Sequence, residues 1–341
     1  MPLSQWVETG YDGGVPTTRE QSGEMLIAAP ERWDEACFAI PAVRAMMHSG
    51  MKVGILCREQ QQALWETLPG LVVVVFPITA KAKAVAPRLA GHWDAAIAWE
   101  PGIAAEACAR AKIPRRVGPD EKPLKKLLTH PVANLTKPGP PEHRVRDYLN
   151  LIKALGLDPG RPEFFAPADL GIKPEAGTVL LCPDSDFGRS HEWPLDRWLE
   201  TAKALQASQR TITIAAVPAG AGLGMALVAG LANDTPFFEA SPLAEVLPLL
   251  AVHQVVLAAD GSLPHLAAHV GAACVTLFGP NDPQWKRPLG RRHASVSRHA
   301  ECAPCFLAKC PLDGRCQQEL DNQRVWSALR QTLDLTDTIT P

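Results

Sequence analysis

Residues 254–280 read QVVLAADGSLPHLAAHVGAACVTLFGP. An apolar run stops at Asp260-Gly261-Ser262, a short apolar helical segment begins near His265, and a second apolar run ends at Gly279-Pro280. Strand, turn, helix and strand in that order form the repeating unit of a parallel sheet covered by helices. The first turn is also chemically loaded, with Asp260, Gly261, Ser262 and His265 close together.

The same alternation extends through the chain. Upstream, apolar runs predict strands at 25–29, 52–57, 71–76 and 94–99, with a weaker fifth at 115–118. Between the first two, FAIPAVRAMMHSG reads as a helix ending on Gly50. A polar, Pro-rich stretch, THPVANLTKPGPPEHR, reads as a loop, and VRDYLNLIKALGL after it as an amphipathic helix. A second series places strands at 178–183, 211–217, 254–259 and 274–279, and NQRVWSALRQTL closes the chain as a helix. The expected organisation is a polar extension over 1–23, an α/β domain over 24–165, a linker over 166–177 and a second α/β domain over 178–335. Two Rossmann-like domains facing a cleft hold ligands just beyond the carboxyl ends of their strands.

Composition agrees with two such domains. A chain of 341 residues exceeds one compact core and divides naturally into domains of roughly 150 residues. Hydrophobic residues make up 46% and charged residues 21%, with a net charge of −2, so nothing in the balance favours nucleic-acid binding. No apolar stretch reaches the length of a transmembrane segment. The first residues lack the basic and apolar regions of a secretory signal, which makes the cytoplasm the expected location.

Several turns carry candidate chemistry. Backbone N–H groups at Gly261 and Ser262 suit an anion, while a capped helix over a packed His265 explains the same residues without a ligand. In CPDSDFGRSHEWP (182–194), Arg189 and His191 could neutralise a diphosphate and Ser185 hydrogen-bond it. Asp184-Ser185-Asp186 also matches a divalent-metal carboxylate pair, although turn-forming Asp and Ser explain a three-residue match better. Asp34 and Glu35 enter a helix after the first strand; they complement its dipole or supply a general base. The glycines of PAGAGLGMA (218–226) lack the dinucleotide-binding spacing, leaving a nicotinamide-dependent oxidoreductase with little support. Lys122, Lys125 and Lys126 form either a solvated face or a patch for phosphorylated or acidic sugars.

Nine cysteines are present, and four of them crowd into one loop: Cys302, Cys305, Cys310 and Cys316, spaced C-x2-C-x4-C-x5-C. Such a set fits a structural zinc or an uncoordinated thiol cluster, and disulfides are disfavoured in a reducing compartment.

Taken in order, three segments resemble the bacterial heptosyltransferases of glycosyltransferase family 9. CPDSDFGRSHEWP is similar to the family's C-P-G-A-x-F-G-x-x-K-R-W-P, and DGSLPHLAAHVGAACVTLFGPNDP to its D-S-G-x-x-H-L-A-A-A-L-G-x-P-x-V-A-L-F-G-P-x-D-P. RVRDYLNLIKALGL looks like the helix that ends the family's N-terminal domain, and the cysteine-rich segment is shared by many members. The resemblance covers about residues 24–335 and implies a GT-B fold with an N-terminal acceptor domain and a C-terminal nucleotide-sugar domain. It implies an inverting, metal-independent transfer to a lipopolysaccharide-core or similar envelope glycan, typically from ADP-heptose. A carboxylate would deprotonate the acceptor hydroxyl. The family's Gly-Asp falls on Asp34-Glu35, making Glu35 the implied base with Asp34 its rival. Asp260, Gly261 and Ser262 would cradle the donor diphosphate, with His265 packed beneath. The family also implies a glycolipid or oligosaccharide acceptor met peripherally at the inner face of the cytoplasmic membrane. This chain departs from the pattern at Asp34-Glu35 (Gly-Asp in the family), Asp184 (Gly), His191 (Lys) and Gly261-Ser262 (Ser-Gly). These departures raise a second reading, a degenerate GT-B protein that binds nucleotide-sugar or glycan without transfer.

Overall fold

The computed structural model describes residues 23–133, 141–217, 220, 222–231 and 234–339. The extension expected over 1–23 therefore lies outside the described residues except for Gly23. The chain forms two compact units: one through Pro140 and over Arg144–Phe165, the other over Pro141–His143 and Ala166–Pro341.

The first unit holds six parallel strands: β1 (Glu24–Ala28), β2 (Lys52–Arg58), β3 (Val72–Phe76), β4 (Ala95–Ala98), β5 (Arg115–Pro119) and β6 (His130–Val132). Their order is β3-β2-β1-β4-β5-β6. The centre of the sheet is built from short, continuously apolar segments because both faces are covered. On one side Leu26, Leu56, Phe76 and Ala98 pack with Leu89, Ala105 and Ile113. The helix Trp33–His48 is buried along almost its whole length and packs against the helix Val145–Ala154. Pro41 stands inside that first helix and cannot donate to the carbonyl of Cys37. The helix begins five residues before the predicted segment, so Asp34 and Glu35 lie in its first turn.

The second unit repeats the arrangement with β7 (Glu175–Cys182), β8 (Thr211–Ala216), β9 (Phe237–Glu239), β10 (His253–Ala259), β11 (Ala273–Phe278) and β12 (His293–Ser297). Its parallel sheet runs β12-β11-β10-β7-β8-β9. The core joins Val179, Leu181, Val255 and Leu257 to Trp193 and Trp198, whose rings meet edge to face at 5.6 Å. Trp193 also donates its indole N–H to the Leu320 carbonyl at 2.8 Å, tying this core to the approach of the closing helix Asn322–Ile339.

Three strands differ from the sequence expectation: β6, β9 and β12 were not predicted. Two are only three residues long, and β12, HASVS, is polar along an edge. Edge pairing needs little apolar surface, so periodicity does not reveal it. β7 also starts at Glu175, inside the stretch 166–177 expected to be linker.

In both sheets the first strand of the unit is flanked by its second and fourth, so the chain turns to opposite sides at β1/β4 and at β7/β10. Parallel sheets bind ligands outside the strand ends at such reversals. The residues following β1, β4, β7 and β10 therefore stand at the ligand-binding ends of the two sheets.

Candidate active site

In the first unit, Glu35 follows β1 and is 6% exposed. Its Oε2 accepts two hydrogen bonds, from Arg144 Nε at 2.9 Å and from the Tyr148 hydroxyl at 2.6 Å. Arg144 also pairs with Asp147 and lies over the Tyr148 ring, with its guanidinium carbon 5.6 Å from the centroid. Burial alone would pull the Arg144 guanidinium down; Glu35, Tyr148 and Asp147 outweigh it and hold it above its usual range. Burial, reinforced by the Glu35 charge, pushes the Tyr148 phenol well up, so it stays a hydrogen-bond donor. A buried carboxylate is tolerable here because both of these partners are strong donors.

Arg144 and Tyr148 line a cavity of about 280 Å³ together with Trp99, Glu121 and Asn150. Trp99, at the end of β4, packs on Tyr148 with ring centroids 5.2 Å apart. Beside it, burial raises the Glu100 carboxyl above the usual carboxylate range, against the opposing pull of the Glu31 N–H that it accepts at 2.9 Å. Asp34 is fully buried and held by Arg32, Nε to Oδ1 at 3.0 Å. Of the two acids, Glu35 is the one whose partners form the cavity wall.

The lysines expected to meet the acceptor are all exposed. Lys125 lies 2.8 Å from Asp120 and forms an exposed ion pair with it.

In the second unit the loop after β7 meets the turn after β10. Ser185 is buried, donates its hydroxyl to the Asp260 carbonyl at 2.6 Å and accepts the Phe187 N–H at 3.1 Å. His191 Nδ1 lies 3.0 Å from Asp260 Oδ2, which also accepts Asn281 Nδ2 at 2.7 Å. Asp260 is fully buried and its Oδ1 has no hydrogen-bond partner among the described residues. Burial raises this carboxyl above the usual range, while His191, Asn281 and Lys286 oppose the rise. His265 is buried, and Arg189 is exposed.

Two expectations for this region are corrected. The N–H groups of the Asp260–Ser262 turn are not all open to an anion, because Ser262 N–H and Oγ both donate to Asp186, at 2.8 and 2.6 Å. Nor do Asp184 and Asp186 form a carboxylate pair for a metal. Asp184 is buried and accepts the N–H groups of Gly222, Leu223 and Gly224 at 2.8, 2.9 and 2.8 Å, fixing the start of the helix Leu223–Ala229. The glycine run thus has a structural purpose. Gly222 takes φ +80°, and a Cβ on Gly224 would lie 2.9 Å from Asp184 Oδ2, so the loop can wrap the carboxylate only with glycine there. Pro218, Ala219 and Ala221 of that run lie outside the described residues.

Among the described residues no three of His, Cys, Asp and Glu stand in an arrangement that would hold a metal ion. Cys302 is exposed while Cys316 is buried. Burial, with smaller contributions from Cys302, Cys305 and Cys310, pushes the Cys316 thiol up to about 11. The cysteine-rich loop is fastened by other contacts. Ser190 donates its N–H to the Ala308 carbonyl at 3.3 Å and its hydroxyl to the Leu307 carbonyl, and Cys305 and Phe306 donate their N–H groups to Pro280 at 2.9 and 3.0 Å. Gln317 Nε2 donates to the His191 carbonyl at 3.0 Å.

Sequence reasoning missed Arg144, Tyr148, Asn281 and Lys286. Lys286 is 5% exposed, with its ammonium 4.9 Å from the Phe187 ring centroid. The segment NDPQWK that carries Asn281 and Lys286 directly follows the quoted FGP motif, which was the available signal.

Each unit is thus a Rossmann-like parallel sheet with buried polar residues just after the strands at its reversal, Glu35 in the first unit and Ser185, His191 and Asp260 in the second. The sequence profile of Glycosyltransferase family 9 (heptosyltransferase) matches residues 91–315, and the chain belongs to that family. Lipopolysaccharide heptosyltransferase 2 of Salmonella typhimurium is 23% identical over 130 residues, 37% of each chain. The matched stretch thus spans well under half the length of that curated relative. In structure the chain is similar to the E. coli ADP-heptose lps heptosyltransferase II, with a TM-score of 0.73 at 16% identity over 92% of this chain and 99% of that one. It is also similar to the E. coli heptosyltransferase WaaC with ADP, at a TM-score of 0.67 and 17% identity over 91% and 99%. These likenesses establish the GT-B class of fold. Among the described residues no helix is long and apolar enough to cross a membrane.

Proposed function

We propose that this protein is an inverting glycosyltransferase that moves a heptose or related sugar from a nucleotide-sugar, ADP-heptose, to a lipopolysaccharide-core or similar envelope glycan. Family membership supplies the class of reaction, and of the proteins that this fold resembles one is an ADP-heptose lps heptosyltransferase and another is a heptosyltransferase with ADP. The observation that carries the reading is Glu35, a buried carboxylate at the β1/β4 reversal whose two partners line a cavity.

Glu35 acts as general base. It takes the proton of the acceptor hydroxyl while that oxygen forms a bond to the anomeric carbon. The bond from that carbon to the donor phosphate breaks, and its electron pair leaves with ADP. Arg144 and Tyr148 position the carboxylate through Oε2. Arg189 and Lys286 supply positive charge toward the departing diphosphate, and His191, Asp260 and Asn281 hold the turn after β10 in place. Lys122 and Lys126 are the proposed contacts for an anionic acceptor. That acceptor, a glycolipid or oligosaccharide, would be met from the cytoplasm at the inner membrane face.

A structural zinc on Cys302, Cys305, Cys310 and Cys316 is one of two readings of their spacing, four uncoordinated thiols being the other. The thiols would have to close up from the arrangement described above to share one ion, and metal analysis of the purified protein decides between zinc and four free thiols. Non-catalytic binding of a nucleotide-sugar is the second functional reading, favoured by the carboxylates of Asp184 and Asp186 against backbone N–H groups.

Thermal unfolding with ADP, UDP, GDP, CDP and NAD in turn tests the donor assignment. A ligand at a hundred times its dissociation constant stabilises the fold by about 2.7 kcal/mol. Stabilisation by ADP alone is the expected result; a response to NAD alone would remove the transferase reading.

A further inference from the structure

We propose that Asp186 is a specificity-determining residue that guards the donor site, its carboxylate standing where a phosphate oxygen of the donor would otherwise be held. The inference rests on the reading of the β7–β10 loops as the nucleotide-sugar site.

The geometry is that of an internal anion mimic. Asp186 Oδ1 accepts the N–H of Ser262 at 2.8 Å, and Oδ2 accepts its hydroxyl at 2.6 Å. Each carboxylate oxygen takes one donor, as two oxygens of a phosphate would. Gly261 allows the approach, since a Cβ there would lie 2.9 Å from Asp186 Oδ1. Directly before this turn residue comes Asp260, fully buried with Oδ1 unpartnered among the described residues. A second anion brought to the same two donors would have to displace the first, and like charge makes sharing unfavourable.

Asp186 differs in kind from Asp184 two residues before it. Asp184 is buried and tied to three N–H groups at the start of another helix, so it is an anchor. Asp186 is exposed and reaches Ser262 by its side chain. The loop beneath is fastened independently, through Ser185 Oγ to the Asp260 carbonyl and Ser185 N–H to Glu192 Oε1 at 3.2 Å. Rotation of the Asp186 side chain therefore frees Ser262 without unmaking the loop. Donor binding is reduced by the fraction of molecules in which Asp186 has withdrawn. Hydrogen bonds to a charged group of this kind correspond to a factor of roughly ten to a hundred in that fraction.

The test is titration calorimetry of the full-length protein and its Asp186→Ala and Asp186→Asn variants with ADP, and separately with adenosine. The expected result is ADP binding about tenfold or more tighter in Asp186→Ala and a smaller gain in Asp186→Asn, which keeps an acceptor for Ser262 N–H. Adenosine affinity stays unchanged, and the unliganded Asp186→Ala melts at lower temperature because Ser262 has lost its acceptor. A purely structural Asp186 would lower both stability and ADP affinity. Equal or weaker ADP binding by folded Asp186→Ala, or an equal gain for adenosine, overturns the inference while wild-type binding of ADP upholds the donor reading. Absence of ADP binding by all three proteins overturns both.

Discussion

Tyr148 donates its hydroxyl hydrogen to Glu35 Oε2 at 2.6 Å, on the same oxygen that receives Arg144 Nε at 2.9 Å. Two donors on one oxygen fix the orientation of a carboxylate that the chain has buried. They come from a single helix turn, positions 144 and 148, more than a hundred residues from the acid in sequence.

Replacing Glu35 by Gln keeps the shape and removes the base. Turnover should fall by roughly 10²- to 10⁴-fold, with ADP affinity unchanged, as measured by steady-state rates and calorimetry side by side. A drop in ADP affinity of the same size would mean that Glu35 serves binding rather than proton transfer.

Tyr148→Phe tests positioning. The variant loses one hydrogen bond to a charged group, costing about 1.5–3 kcal/mol of stability. Turnover should fall at unchanged ADP affinity, because one of the two donors that orient the Glu35 carboxylate has gone. Loss of stability with unchanged turnover would reduce Tyr148 to a packing residue.

Asp184→Ala should destabilise the second unit by about 2–3 kcal/mol, since three backbone N–H groups at Gly222, Leu223 and Gly224 lose their acceptor together. Urea unfolding measures this directly. An unchanged midpoint would show that the glycine loop does not depend on the carboxylate.

Acid sensitivity should trace partly to His293, at the start of β12. Burial lowers this imidazole from 6.5 to about 4 in the folded chain. A depressed histidine contributes stability above its unfolded value and loses it as pH falls through the folded one. The window is therefore pH 6.5 down to 4, and the full loss is about 3 kcal/mol. His143 and His253 are lowered by burial and act in the same direction, whereas the raised Asp260 carboxyl contributes below its unfolded value and loses its share as pH rises. Melting temperatures of wild type and His293→Gln across that window isolate the effect: the variant should show the shallower decline. Parallel curves would contradict it.

The central strands and the loaded turns were legible in the sequence because β1, β10, β11 and the second half of β7 contain short apolar runs bounded by small and polar residues. Their pattern needs nothing beyond itself. β6, β9 and β12 were not legible, being short edges that pair on one side only. The site was legible only as far as single loops. Glu35 could be singled out, but its link to Arg144 spans 109 positions, and the capping of Gly222 by Asp184 spans 38. Local spacing holds no record of such pairs, which is why Asp184 read as half of a carboxylate pair and is an anchor for a neighbouring loop. Lys286 was missed for a related reason, since a lysine beside a tryptophan gives no sign that folding will bury it.

The most direct test of the account follows ADP released from ADP-heptose in the presence of a lipopolysaccharide-core acceptor, with mass spectrometry of the acceptor, for wild type and Glu35→Gln. The account predicts one ADP per sugar added by the wild type and at least a hundredfold slower release by Glu35→Gln. Equal turnover by the two proteins would contradict the assignment of the base, and no sugar transfer by a wild type that binds ADP would leave this chain a binding protein with a transferase fold.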